Sequence, residues 1–388
     1  MMSADATFYY MQIIERRSMD LFKFNGQIKR FNTLKEGLRH INISGNDLIF
    51  TSQRVSDKHL HDLYDCHILC HDNYGLGEPS DKKIDAINLD LRNISFQRMI
   101  AIGGGSVLDI AKILALKGNH QTIDFFQNKV PIENQHPIIA IPTTCGTGSE
   151  VTSISIAFIE SLKTKMGLNH PALYPETALL IPELLDDIPY DIYMFSAIDA
   201  LIHGIEAFLS PNSTIYTDLY AEKAIEKILI TFNTLSGDTS HRQLLNVSEV
   251  LMASNLAGLA FGNSGVGAVH ALSYPLGGKY HVPHGESNYL FLNDVLMTYK
   301  KINPMGKITS LEMVISDALN CSIHESLKKL DELLRQLIEK QPLKSYGMNS
   351  QEISSFSTLV IETQQRLLKN NYAELSVTDL EKIYKNLF

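Results

Sequence analysis

Residues 99–117 read Met99-Ile100-Ala101-Ile102-Gly103-Gly104-Gly105-Ser106, followed by VLDIAKILALK. Four apolar residues run directly into three glycines, and apolar positions at helical spacing follow. A strand without alternation that feeds a glycine turn and then a helix is one unit of a parallel sheet covered on both faces. Similar buried-strand runs lie on either side, at Leu48-Ile49-Phe50-Thr51, at Pro137 to Pro142 (PIIAIP) and at Ala178-Leu179-Leu180-Ile181. Beyond Pro182 such runs become scarce. Long helical periodicities replace them: MFSAIDALIHGIEAFL (194–209), TDLYAEKAIEKILITFNTL (217–235) and LKKLDELLRQLIEK (327–340). The pattern predicts an α/β nucleotide-binding domain over residues 1–185 and an α-helical domain over 186–388. Their junction falls near Leu185–Pro189, and a ligand cleft is expected between them.

The chain has 388 residues, 44% of them apolar and 20% charged, which is globular composition long enough for two domains. Lys and Arg total 34 against 43 Asp and Glu, a formal net charge of −9, and no basic block stands out. Nucleic-acid binding through phosphates is therefore not expected. No run approaches the roughly 18 uninterrupted apolar residues of a membrane span. Charges at Asp5, Glu15, Arg16 and Arg17 break any signal-peptide pattern, so a cytoplasmic protein is expected. The four cysteines, Cys66, Cys70, Cys145 and Cys321, are too few for a disulfide scaffold and read as buried thiols. A small-molecule substrate and a homo-oligomer are expected.

Two strand-end loops carry the first chemistry. Gly103-Gly104-Gly105-Ser106 lets a phosphate approach the backbone at a helix N-terminus. Alone it is equally a tight structural turn. The second loop, Pro142-Thr143-Thr144-Cys145-Gly146-Thr147-Gly148-Ser149-Glu150, also follows a buried strand. Two such loops in one sheet point to a dinucleotide lying across the strands' C-terminal ends.

A second group of polar residues lies in the helical half. Asp199 and His203 are four apart on one helix face, which Glu206 continues. By themselves they read first as a core Asp–His hydrogen bond or a solvated edge, and only then as ligands. His270 and His284 fall in GVGAVHALSYPLGGKYHVPHGES, where Pro275 disturbs a helix and His284 sits between Pro283 and Gly285 at a chain turn. One carboxylate and three imidazoles suit a divalent first-row metal with an open position.

The ordered set GGGS, PTTxGTGSE, DAxxH, VH and PHG resembles the iron-containing (group III) alcohol dehydrogenase family, from about residue 40 to the C-terminus. Within it the resemblance is strongest to the 4-hydroxybutyrate dehydrogenases, on YGLGEPSD (74–81), IPTTCGTGSEVT (141–152), DALIH (199–203), GVGAVHALSYPLGGKYHVPHGESNYLF (265–291) and QQRLLKNNY (364–372). The resemblance implies a dehydroquinate-synthase-like fold. It also implies Asp199, His203, His270 and His284 as ligands of a divalent metal, with Fe2+ favoured and Zn2+ or Mn2+ compatible. Gly103, Gly104, Gly105 and Ser106 would meet the pyrophosphate of NAD. Thr143, Thr144 and Thr147 would line the nicotinamide side, and Lys165 would contact the ribose. Two departures stand out. Many members carry a His four residues after the third ligand, where this chain has Tyr274, so Tyr274 or His281 is the expected proton relay. Many also carry an Asp at the end of the first βα strand, where this chain has Ser52, which leaves discrimination against NADP open.

The resulting expectation is an NAD-linked, metal-dependent dehydrogenase that interconverts 4-hydroxybutyrate and succinate semialdehyde. A dehydrogenase for simple alcohols or diols such as 1,3-propanediol, a dehydroquinate-synthase-like lyase, and a non-catalytic nucleotide- or metal-binding regulator are the alternatives. The substrate carboxylate needs a local cation in so acidic a chain. Lys279 and His281 are the expected partners, on the reading that the segment from His270 to His284 is a loop pinned to the metal at both ends.

Overall fold

Among the described residues, eight strands carry the N-terminal half: β1 (Gln27–Arg30), β2 (Asp47–Thr51), β3 (His67–Cys70), β4 (Arg98–Gly103), β5 (Ile138–Pro142), β6 (Ile154–Ile159), β7 (Thr164–Asn169) and β8 (Thr177–Leu180). Six of them form one sheet in the order β1-β8-β5-β4-β2-β3, and every pairing is parallel. The structure, a computed structural model, describes residues 20–60, 66–75, 77–236 and 246–388. The N-terminal charges Asp5 to Arg17 lie outside them.

The four strands expected from their apolar runs are present, and the central three, β2, β4 and β5, are buried almost throughout. Their side chains point to both faces and are covered by helices, as a parallel sheet requires. Between the strands run α1 (Leu34–His40), α2 (Gln53–His59), α3 (Asp81–Leu91), α4 (Gly105–Leu114) and α5 (Thr122–Phe126). Leu108, Ile110, Ala111 and Leu114 of α4 pack with Leu48, Phe50, Met99 and Ala101 on one face of the sheet. Leu34 and Leu38 of α1 pack with Ile49, Ile100 and Ile141 on the other. The chain leaves β2 in one direction to β3 and returns on its other side to β4. A crevice therefore opens at the strands' C-terminal ends where the order reverses.

The sequence reading did not anticipate β1, β3 or the antiparallel hairpin β6–β7. β1 and β3 are four-residue edge strands with half or more of their positions exposed; β1 has one apolar residue and β3 only the short run Ile68-Leu69-Cys70. β6 alternates buried with half-buried positions, and its neighbour β7 carries Lys165 and Gly167.

Helices make up the rest: α6 (Tyr190–Leu209), α7 (Ile215–Ser236), α8 (Val247–Ser264), α9 (Ala268–Tyr280), α10 (His284–Ile302), α11 (Lys307–Leu319), α12 (Ser326–Leu337), α13 (Glu352–Thr363), α14 (Gln365–Leu368) and α15 (Val377–Leu387). α6 is long and apolar enough to cross a membrane by composition, but it lies at the centre of the bundle with 83% of its apolar window buried. It packs against α7, α8, α10 and α11, which explains why it is hydrophobic all round. The turn expected around His284 is a helix start: Pro283 sits at the N-cap and His284 opens α10. The disturbance expected at Pro275 does not break α9, which runs through it to Tyr280.

Candidate active site

The two strand-end loops meet each other at the crevice. Gly104 is the N-cap of α4, and Gly105 and Ser106 open that helix with its free N–H groups facing out. A Cβ on Gly105 would lie 2.5 Å from Thr147 Cγ2, and one on Gly104 would lie 3.3 Å from Thr144 Cγ2. The absent side chains thus allow the glycine turn to nest against the threonine loop. That loop is tied in turn to the helical half. The Asn255 amide of α8 donates to Glu150 (2.8 Å), and Gly148, in the left-handed region (φ +56°), abuts Gly258 of α8.

Deeper in the cleft, α6 presents Asp199 and His203 one turn apart, α9 presents His270 and α10 presents His284. One donor atom from each of the four lies within 4.8 Å of the others. Asp199, His203 and His270 are buried, and His284 is half-buried. The alternative of a core Asp–His hydrogen bond does not hold, because His203 Nδ1 and Asp199 Oδ2 are 3.9 Å apart.

The surroundings fix how these side chains face. His203 Nδ1 donates to the Gly146 carbonyl (3.1 Å), and the His203 ring stacks on Phe261 (centroids 4.3 Å, 17°). His270 Nδ1 donates to Glu206 (2.6 Å), whose other oxygen accepts the Val269 N–H (2.7 Å). Glu206 therefore continues the polar stripe of α6 as the partner that orients His270. With both Nδ1 atoms donating outward, the Nε2 atoms of His203 and His270 face each other at 3.0 Å, and with both rings neutral each offers a lone pair. Two acceptors at that distance repel unless a cation meets both. Burial pushes the His203 and His284 imidazoles below their ordinary range, which keeps them in the neutral, ligating form. Burial pushes the Asp199 carboxyl up, but the positive charge that its neighbouring imidazoles can carry and the hydrogen bond from the Asn288 amide (2.7 Å) outweigh it and bring the group below its ordinary range. The donor set fits a divalent first-row ion, with a partner behind two of its imidazoles and behind its carboxylate.

A cavity of about 540 Å³ joins the loops to this cluster. Gly105, Ser106 and Thr147 line it from the sheet side, and Lys165 from β7. Phe261, Tyr274, His203, His270 and His284 line it from the helical side. Lys165 is ion-paired to Glu78 at 2.6 Å and sits 5.9 Å from the Tyr274 ring centroid. Of the remaining expected cofactor residues, Gly103 ends β4 and Thr143 and Thr144 follow β5 at the same sheet end, without lining the cavity. Ser52 follows β2 there and caps α2, accepting the Val55 N–H. A second hollow of about 790 Å³ reaches Asp199 and His284 from the other side, between α6 and α10.

Lys279 and His281 do not come to the cavity. Lys279 pairs with Glu352 on α13 with 56% of its side chain exposed, and His281 is an exposed C-cap residue in the left-handed region. The segment is a helix rather than a pinned loop. Nine residues on, Lys279 is about 13 Å along the axis from His270 and about half a turn round. Tyr274, four residues on, shares the His270 face and lines the cavity. The sequence reading passed over Arg366, Lys369 and Asn370, which line the cavity from α14 and the turn after it. Their motif, QQRLLKNNY, had drawn notice as a likeness and not as chemistry.

Comparison with known proteins follows the same lines. A family profile described as iron-containing alcohol dehydrogenase matches residues 26–182. A second, for the C-terminal part of the Fe-containing alcohol dehydrogenase family, matches residues 193–388. The 4-hydroxybutyrate dehydrogenase of Clostridium kluyveri is 42% identical over 371 residues, which cover 95% of this chain and 100% of the relative. The crystal structure of an iron-containing alcohol dehydrogenase superposes with a TM-score of 0.78 at 25% identity, over 95% of this chain and 99% of that one. A sulfoacetaldehyde reductase from Bifidobacterium kashiwanohense, solved in complex with NAD+, superposes at 0.82 with 21% identity over 96% and 99%, a likeness of fold.

Proposed function

We propose, from the premise that the chain belongs to the iron-containing alcohol dehydrogenase family, that it interconverts 4-hydroxybutyrate and succinate semialdehyde with NAD and a divalent metal, Fe2+ first. The observation that carries this reading is the pair of opposed Nε2 lone pairs on His203 and His270 beside Asp199 and His284, at the end of a cavity that begins at two strand-end loops.

Asp199, His203, His270 and His284 would hold the metal. When bound, the metal supplies Lewis-acid charge for the substrate oxygen and NAD supplies the hydride acceptor. The chain's own part is binding and orientation. The N-terminus of α4, with Gly104, Gly105 and Ser106, is an anion site suited to a pyrophosphate. Thr147 stands between that helix and the ligand cluster and faces both hollows. Glu206, the Gly146 carbonyl and Asn288 fix His270, His203 and Asp199, so that little reorganisation accompanies reaction. Phe261, stacked on His203, keeps water from that side. Burial pushes the Tyr274 phenol up, with Arg366 opposing it, so Tyr274 keeps its proton at neutral pH. It lines the cavity, and exposed His281 does not.

One assay tests the reading. NADH formation is followed with 4-hydroxybutyrate, 1-butanol and 1,3-propanediol, with and without added Fe2+. We expect the highest kcat/KM for 4-hydroxybutyrate and dependence on metal. Preference for the uncharged alcohols would transfer the assignment to simple alcohols or diols. Absence of turnover with all three would favour a binding protein. For the cofactor, Ser52→Asp should depress any NADP-linked rate through repulsion of the 2′-phosphate. Equal NADP rates before and after would place Ser52 away from the ribose.

A further inference from the structure

Three cationic side chains line the cavity: Lys165, Arg366 and Lys369. Glu78 takes up the charge of Lys165 at 2.6 Å. Arg366 and Lys369 make no ion pair with a carboxylate among the described residues. The other acid that lines the cavity, Asp109, is committed to Ser149, to the Ile156 N–H and to buried Lys112.

Arg366 enters from α14 and lies across β7. A Cβ on Gly167 would meet Arg366 Nη2 at 2.9 Å and Cζ at 3.1 Å, so the missing side chain at 167 is what leaves the guanidinium its place. Gly167 and Lys165 are two residues apart on a strand and face the same way. On its other side the guanidinium faces the Tyr274 phenol, where its positive charge opposes the rise that burial imposes on that phenol. Tyr274 is one turn of α9 beyond His270, so its Cα lies about 6 Å further along the axis on nearly the same face. An extended four-carbon hydroxy acid spans about 5 Å from its hydroxyl oxygen to its carboxyl carbon, four bonds at roughly 1.25 Å of advance each.

We propose that Arg366 is the residue that recognises the substrate's carboxylate. A hydroxyl held at the Asp199–His203–His270–His284 cluster leaves the far end of a four-carbon chain at the guanidinium, with the Tyr274 hydroxyl beside it. A planar guanidinium pairs with a carboxylate through two parallel N–H donors, which a lysine at the same place does not reproduce. Lys369, exposed three residues on, adds charge at the mouth without such a cradle. The inference rests on the hydroxy-acid reading proposed above and gives it a residue. It replaces Lys279, whose charge is spent on Glu352 outside the cavity.

The test compares Arg366→Gln and Arg366→Lys with the unaltered holoenzyme. Arg366 is exposed and packs in no core, so both variants keep the fold. In Arg366→Gln, kcat/KM for 4-hydroxybutyrate should fall about tenfold relative to kcat/KM for 1-butanol, the loss expected of one solvent-open charge-assisted contact, with KM carrying most of it. Arg366→Lys should fall between the two. Gly167→Ala, which pushes the guanidinium aside, should move selectivity in the same direction. Butyrate, a carboxylate that cannot be oxidised, serves as a second probe. It should compete with 1-butanol in the unaltered enzyme, with an inhibition constant raised about tenfold in Arg366→Gln, and its saturation-transfer NMR signal should weaken in parallel. Equal losses for 4-hydroxybutyrate and 1-butanol, or butyrate binding unchanged in Arg366→Gln, would overturn the proposal. So would a raised KM for NAD+ with selectivity intact, since the guanidinium would then serve the cofactor. If the unaltered enzyme oxidises 1-butanol but not 4-hydroxybutyrate, the substrate reading fails by itself. Butyrate competition through Arg366 then still decides whether the cavity holds a carboxylate.

Discussion

Two buried polar clusters flank the cavity and are satisfied in opposite ways. Around Lys112 the account is closed. Its ammonium donates to Ser149 Oγ (2.7 Å), Thr152 Oγ1 (3.2 Å) and the Ile154 carbonyl (2.7 Å). Asp109 accepts from Ser149 Oγ (2.6 Å) and the Ile156 N–H (2.9 Å). Burial pushes the lysine down to about 8 and the Asp109 carboxyl up, yet every donor finds an acceptor. Around His203 and His270 the outer nitrogens are equally well held, while the inner ones face each other and meet no carboxylate or carbonyl within hydrogen-bond reach. Both clusters mix charge with burial, so neither feature alone marks chemistry. What separates them is saturation: the first stitches α4 to β6, and the second keeps coordination capacity in reserve.

The contrast can be broken from either side. His284→Ala should remove the metal and lower kcat/KM by about a thousandfold or more, since several kcal/mol of charge stabilisation go with the ion. The far-ultraviolet circular dichroism should stay as it was. Stoichiometric metal with near-normal turnover in that variant would show the cluster to be structural. On the other side, Lys112→Met leaves the Asp109 carboxylate buried without its cation. Stability in urea should drop by about 3–5 kcal/mol. A drop below 1 kcal/mol, with turnover lost instead, would mean that this lysine serves the reaction and that the contrast is misdrawn.

A milder change probes the backing of the ligands. Glu206→Gln removes the charge behind His270 while keeping an acceptor, and metal affinity should weaken about ten- to a hundredfold. Affinity measured by competition with a chelator checks this, and unchanged affinity would make Glu206 a helix-capping partner of Val269 only. The smallest effect belongs to Lys279→Ala. An ion pair with one partner in solvent is screened and contributes little. Substrate selectivity should not change, and a selective loss for 4-hydroxybutyrate would restore the lysine as the carboxylate's partner against Arg366.

The sequence showed the four ligand candidates because each lies in a short, dense motif: Asp199 and His203 at helical spacing, His270 and His284 in a stretch rich in Gly and Pro. The strands it showed are the ones buried on both faces, β2, β4, β5 and β8. It concealed β1 and β3 because edge strands need no continuous apolar run. Lys279 was misread for a related reason. Two glycines and a proline suggested a loop, but Pro275 is accommodated inside α9, and an unbroken helix turns Lys279 to the far face. Arg366 could not be placed from sequence, since its approach to Tyr274 joins positions 92 residues apart through the space left by Gly167 on β7. That kind of contact is set by packing and leaves no periodic trace.

The start of α10 has a bearing on how this protein can change over time. A Cβ on Gly285 would lie 2.4 Å from the Phe195 carbonyl oxygen and 3.4 Å from Asp199 Cβ, in the residue directly after His284. The separation between two of the four ligand candidates is thus gauged by backbone touching backbone, with no side chain able to absorb error. Random substitution can drift freely across the exposed faces of α7 or α12. At position 285 even the smallest addition, a single methyl group, would prise α10 from α6 and carry one donor away from the other three. A screen of variants should find this glycine as intolerant as the ligands themselves, although it offers no atom of its own to bind anything.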